Sequence, residues 1–216
     1  MTESSERSYS AFVGVLADVL DDLRIEYGFA GSFASSQYGE PRQTLDADLT
    51  VHLQPSDADR FAAAFQAIDM YADAETIREV FGYRNPIPFG VIDPRGGWKA
   101  DCYLLRETAY ERAAFARRRE LPYPAARRGK VWLYAPEDVI LMKLDYYRIS
   151  QGVSTKHLRD IAGMLANMER WDRPLDLDYL NRWARGLEVI DYWEKLWDEF
   201  RHQMHSTNRG PDEPVS

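Results

Sequence analysis

Asp46 and Asp48 stand two residues apart where an alternating segment begins. On a strand their side chains share a face, with Cα atoms roughly 7 Å apart. Two carboxylates so placed, with no basic residue between them, repel each other, and a divalent cation between them relieves that repulsion. Hard cations such as Mg²⁺ take oxygen ligands and keep waters that substrate phosphates replace. Taken alone, Asp-x-Asp is more often a solvated strand end. Upstream, Gly31-Ser32 ends an apolar segment and opens a helix. Such a turn presents free backbone N–H groups and a hydroxyl to an anion, although an ordinary turn with a serine cap reads the same way. The third acid is Asp101, flanked by Ala100 and Cys102 in a second strand-like segment. If that strand neighbours residues 47–53, Asp46, Asp48 and Asp101 form a three-carboxylate site able to hold two cations and help deprotonate an attacking hydroxyl. Otherwise Asp101 is an edge-strand acid.

The elements that must position these residues are legible in the pattern. Phe12, Leu16, Val19, Leu20 and Leu23 recur at helical spacing, and Ile25–Ala30 reads as a short strand. Phe33–Tyr38 forms a helix stopped by Gly39 and Pro41. In 47–53, Ala47, Leu49, Val51 and Leu53 face one side and Asp48, Thr50 and His52 the other. Ser56 and Asp59 make a box-like start to a helix reaching about Ile68, and 73–81 holds a further helical turn or two. Pro88–Ile92 and Trp98–Leu105 are strands joined by the turn Asp93-Pro-Arg-Gly-Gly97. Glu107–Arg119 is expected to be helical and Val131–Tyr134 to be the last strand. Pro136-Glu-Asp suits a helix first turn and leads into helices over 139–149, 156–168, 176–186 and 189–203. The expected organisation is a mixed α/β core over 9–135, a helical region over 136–205 packed on that core, and a disordered tail over 206–216.

As a set, these motifs resemble the nucleotidyltransferases of the DNA polymerase β superfamily. The shared features are an apolar residue before Gly-Ser, a gap of about a dozen residues, Asp-x-Asp, and a later apolar-Asp-apolar strand. Within that superfamily the chain looks like the AbiEii-type toxins and related bacterial proteins, through Gly31-Ser-Phe-Ala34 and Arg42-Gln-Thr44-Leu-Asp46-Ala-Asp48. Pro136-Glu-Asp-Val-Ile-Leu-Met-Lys143-Leu and Arg159-Asp160-Ile-Ala also resemble the family's helical part. The likeness spans roughly residues 10–170. Ser32 stands where a second glycine is commoner. The resemblance implies an α+β fold, a polymerase β-like core of a small mixed sheet with flanking helices followed by a C-terminal helical bundle. It implies metal-dependent transfer of an NMP from an NTP, such as ATP, to an acceptor hydroxyl on RNA, protein or a small molecule. By it, Gly31 and Ser32 hold the triphosphate, Asp46 and Asp48 bind two Mg²⁺ ions (Mn²⁺ being an alternative), and Asp101 ligates one metal and aids the base. Lys143 would reach the phosphates, against the equal reading of a snorkelling helix residue. Arg42 would contact phosphate or pair with Asp46 or Asp48. Lys156 and Asp160 have the i, i+4 spacing of a pair across a helix turn. A toxin role with an antitoxin protein as partner belongs to the same resemblance.

Composition narrows the partners. The chain has 216 residues, 45% hydrophobic and 29% charged, and a net charge of −8, which suits a folded core and disfavours coating of duplex DNA. Yet residues 106–130 carry eight basic residues against three acids, a net +5 that leaves −13 for the remainder. With Tyr110 and Tyr123 nearby, that segment suits an acidic acceptor such as tRNA or another RNA, although a solvated helix end and loop is the commoner account. Cys102 is the lone cysteine, so an intramolecular disulfide is excluded. No signal peptide and no run of about 18 apolar residues is present, so a cytoplasmic protein is expected. His202 and His205 have no acid cluster nearby, and Trp171, Trp183, Trp193 and Trp197 read as packing. Two other functions remain compatible with the sequence: a nucleotide- or partner-binding protein of the same fold with little turnover, and a Mg²⁺-dependent phosphohydrolase.

Overall fold

Strands β1 (Tyr27–Phe29), β2 (Asp46–Val51), β3 (Phe89–Asp93), β4 (Trp98–Leu104), β5 (Arg119–Pro122) and β6 (Lys130–Leu133) make one mixed sheet in the order β3-β4-β2-β1-β6-β5. The computed structural model describes residues 6–41, 44–168, 171 and 174–207. β2 runs parallel to β4 and antiparallel to β1, while β3 pairs antiparallel with β4. β1 meets β6 in parallel, and β6 pairs antiparallel with β5. The alternation expected for residues 47–53 is realised: Ala47, Leu49 and Val51 are buried with Ala100, Cys102, Phe89 and Val91. The opposite face carries Asp46, Asp48, Thr50, Lys99, Asp101, Tyr103, Gly90 and Ile92, none of them buried.

Helices α1 (Tyr9–Asp22), α3 (Ala58–Gln66), α4 (Ala74–Val80) and α5 (Ala109–Ala116) belong with the sheet to a first compact unit, residues 1–34 and 42–135. Ser8 caps α1 by accepting from Ala11 N–H, and Asp73 caps α4 by accepting from Thr76 N–H, each satisfying a donor the first helical turn leaves open. A 3-10 turn over Pro55–Asp57 precedes α3, and Asp57 accepts from Gln54 N–H at 2.7 Å. The reciprocal start thus lies two residues ahead of the expected Ser56–Asp59. Phe61 of α3 meets Phe89 of β3 edge-on at 5.4 Å, which seats α3 on the buried face. The helix expected over Glu107–Arg119 is shorter, and Arg119–Pro122 is instead strand β5. Three consecutive arginines with a single apolar neighbour hide that strand. Its order comes from pairing with β6 through a loop in which Tyr123 N–H donates to Gly129 O.

Helix α2 (Gly31–Tyr38) begins in the first unit and ends in the second, which comprises residues 35–41 and 136–216. That second unit holds α6 (Pro136–Ile149), α7 (Lys156–Ala166), α8 (Leu177–Gly186) and α9 (Ile190–Thr207). Its interior is apolar around Ile140, Leu144, Ile161, Leu165, Leu180 and Trp193. Polar residues enter it in hydrogen-bonded sets: Tyr179 Oη donates to Asp138 at 2.6 Å, and Asp176 N–H donates to Glu137 at 3.1 Å. Trp171 Nε1 donates to Tyr38 O, joining residues 35–41 to this unit. Asp160, whose spacing suggested Lys156, takes Lys143 of α6 at 2.6 Å. α9 runs past the expected end of the helical region to Thr207, and the rest of the expected tail lies outside the described residues. Among the described residues no helix is long and apolar enough to cross a membrane.

Candidate active site

Adjacent strands β2 and β4 bring Asp46, Asp48 and Asp101 to one face of the sheet, with Gly31 at its β1 side. Ala30 N–H donates to Asp48 O at 2.8 Å, which sets the end of β1 and the start of α2 against Asp48. Asp48 lies opposite Asp101 in the parallel β2–β4 ladder, and Asp101 lies opposite Gly90 on β3. The register row is therefore Ala30, Asp48, Asp101, Gly90, with neighbouring strands about 4.8 Å apart, and Gly31, next after Ala30, lies against the Asp48 carboxylate. A second row, one pleat away on the same face, is Asp46, Lys99, Ile92 and Tyr71. Gly31 opens α2 with φ +56, a left-handed conformation that costs a side chain energy. A Cβ there would overlap the Asp48 carboxylate.

Two residues the motif reading passed over govern the acids. Lys99 places its ammonium 2.7 Å from Asp101 Oδ1, and its pKa is raised by that hydrogen bond and by the charges of Asp101, Asp46 and Asp48. All three carboxylates therefore act on one cationic point. The sequence did carry this signal, since Lys99 and Asp101 share a face at i, i+2. Tyr9 Oη donates to Asp46 O at 3.1 Å, and its ring sits against Phe33 and Trp98. Burial, then the charges of Tyr123, Asp48 and Asp46, push the Tyr9 hydroxyl well above its ordinary pKa, so it stays a neutral donor. A tyrosine at a helix start gives no sequence signal of that contact. Arg7 pairs with the fully buried Asp93 at 2.9 Å, fixing the chain just before α1 to the β3–β4 turn.

Among the described residues no three His, Cys, Asp or Glu side chains already converge as a metal cage. Asp101 turns one oxygen to Lys99 instead. The donor set nonetheless fits a hard divalent ion: carboxylate oxygens on adjacent strands, without thiolate or imidazole, around a point where their joint field already holds an ammonium.

The other expected residues are placed as follows. Ser32 is the second residue of α2 and is half-buried. Arg42 lies outside the described residues. Lys143 belongs to the second unit, where its side chain is 4% exposed and paired with Asp160. The basic segment is extensively ion-paired. Arg106 meets Glu111, Arg112 meets Glu107, Arg127 meets Asp22, Arg128 meets Asp21 and Glu120, and Lys130 meets Glu120. Arg118 lies flat on the Phe115 ring, 3.3 Å from its centroid, and donates to Tyr27 O. The segment's own glutamates are already counted in its net +5, and Asp21, Asp22 and Glu26 from outside it meet part of what remains.

No family model matches the chain, and no curated protein matches it by sequence. Solved structures do match. The crystal structure of ANT(2″)-Ia in complex with adenylyl-2″-tobramycin aligns with TM-score 0.51 and 16% identity, over 91% of this chain and 99% of that one. The solution structure of the antibiotic-resistance factor ANT(2″)-Ia gives TM-score 0.50 and 13% identity, over 91% and 96%. An antigenic nucleotidyltransferase-like protein from Paracoccidioides brasiliensis is 20% identical over 73% of this chain and 75% of its own, with TM-score 0.46. At such identities the likeness is one of fold: the chain has the fold of the nucleotidyltransferases, a mixed sheet with flanking helices.

Proposed function

We propose that this chain transfers an NMP from an NTP to an acceptor hydroxyl, using Gly31, Asp48 and Asp101. The observation that carries this reading is the register placing Asp48 directly beside Asp101, with Gly31 closed against the Asp48 carboxylate. The first-turn N–H groups of α2, at Gly31 and Ser32, bind the triphosphate oxygens. Asp46, Asp48 and Asp101 hold Mg²⁺, which supplies charge neutralisation on the phosphates and a lowered pKa for the attacking hydroxyl. Asp101 lies on the far side of Asp48 from the phosphate turn, so it orients the acceptor and takes its proton. The acceptor oxygen then bonds to the α-phosphorus, the bond from that phosphorus to the α–β bridging oxygen breaks, and pyrophosphate leaves. Positioning and charge compensation account for most of such catalysis. With the basic segment ion-paired, an RNA acceptor draws little support from it. Lys143, held by Asp160, and Arg42 are not needed in this reading.

The test is incubation with Mg²⁺ and each α-labelled NTP, with RNA, protein and small hydroxyl compounds as acceptors. Label should move to one acceptor class, and Asp48→Asn should lower the rate by at least about a hundredfold. Free phosphate without transferred label would instead make the chain a phosphohydrolase. Bound but unchanged NTP would make it a binding protein of the same fold.

A further inference from the structure

We infer that Gly90 is the specificity-determining residue on the acceptor side: it leaves a shelf on the open sheet face beside Asp101, for a hydroxyl compound whose flank is apolar and carries no phosphate. This rests on the transfer reading of the site. The row across the sheet has a direction. Ala30 at one end leads into the phosphate turn at Gly31, Asp48 and Asp101 follow, and Gly90 closes the other end on β3, the edge strand. A hydroxyl reaching Asp101 without crossing the triphosphate passes over Gly90.

The surroundings set the chemistry of that compound. On the same face, one pleat along β3, Ile92 is 40% exposed, and its bridge partner Tyr71 is 58% exposed. Ile92 is the strand partner of Lys99, whose ammonium is bound to Asp101. An exposed isoleucine and its paired tyrosine, beside a glycine, offer apolar surface there. Lys99, the cation beside this surface, is already paired with Asp101. A hydroxyl compound with an apolar flank fits, and a phosphate on that flank would find the neighbouring ammonium engaged.

The absence of a side chain at 90 is not demanded by the fold. Gly90 does not have a positive φ, and the nearest atom to a Cβ built there is Lys99 Cε at an ordinary 3.7 Å. Gly90→Val therefore fills the shelf while keeping the strand.

The experiment follows backbone amide shifts of the full chain with Mg²⁺. Three probes are added separately: benzyl alcohol, ribose 5-phosphate, and each of the four α,β-methylene nucleoside triphosphates, which cannot turn over. Benzyl alcohol should shift Gly90, Ile92 and Tyr71, and Gly90→Val should weaken its binding by about tenfold or more. A triphosphate should shift Gly31 and Ser32 equally in both proteins. The inference is overturned if benzyl alcohol leaves the β3 edge unmoved, if Gly90→Val binds it as before, or if ribose 5-phosphate is the preferred occupant. A triphosphate that leaves Gly31 and Ser32 unmoved would count against the transfer reading itself, and it is read separately.

Discussion

Gly31 and Asp48 meet so closely that a single added carbon on Gly31 would occupy the space of the Asp48 carboxylate. The contact joins the two halves of the motif. The turn that opens α2 and the strand that carries the acids are one rigid piece, because Ala30 N–H also donates to Asp48 O. The first-turn amides of α2 and the Asp48 carboxylate are therefore held at a fixed separation by the backbone.

Gly31→Ala should disturb both. The left-handed φ of +56 costs a non-glycine residue about 1–2 kcal/mol, and the overlap with Asp48 adds to it. Urea denaturation should show a loss of at least that size. Label transfer should fall by more than the loss of folded protein explains, since the Asp48 carboxylate must move. An alanine variant with unchanged stability and transfer would show that the two residues are not coupled.

For Lys143, the sequence left phosphate contact and a snorkelling helix residue equally open, and the structure pairs it with Asp160, with side chains 4% and 7% exposed. Removing one partner of such a pair strands the other charge, at about 3–5 kcal/mol, whereas replacing both with apolar residues is often near neutral. Lys143→Met should therefore destabilise strongly in thermal or urea unfolding, and adding Asp160→Leu should recover most of the loss. A lysine serving phosphate instead would give a stable single variant with a raised NTP KM, and the double variant would rescue nothing.

The strands bearing the acids were legible because alternation is enforced by burial on one side. Ala47, Leu49 and Val51 mark β2, and Ala100 and Cys102 mark β4. The pairing of β2 with β4 was not legible, since a parallel register depends on the long crossover between them and no local residue encodes it. β5 stayed hidden because Arg117, Arg118 and Arg119 read as the end of a basic helix; its order comes from β6 and from Arg118 lying on Phe115. The ion pairs of that segment were not legible for the same reason, as its partners Asp21 and Asp22 lie about a hundred residues earlier. Asp160 is the helical counterpart: the i, i+4 spacing favoured Lys156, and packing of α6 on α7 supplied Lys143.

Lys99 would compete with a divalent cation for Asp101. Its ammonium occupies Asp101 Oδ1, and its pKa is raised by the Asp101 hydrogen bond and by the charges of Asp101, Asp46 and Asp48. A raised lysine pKa means that the pair's contribution is complete below the ordinary lysine range and is lost only as pH rises through the folded value. The pair is therefore intact at neutral pH. With the Lys99 side chain 47% exposed, solvent screens the interaction, and Lys99→Met should change stability by less than about 1 kcal/mol. Metal affinity should respond more. Removing a positive charge that competes for Asp101 should tighten Mg²⁺ or Mn²⁺ binding by about tenfold at low salt, less at high salt, as read by titration calorimetry. Weaker binding in Lys99→Met would mean that the ammonium organises the carboxylates rather than competing for them. Unchanged binding would place the ion away from Asp101, and the three-acid reading would fail with it.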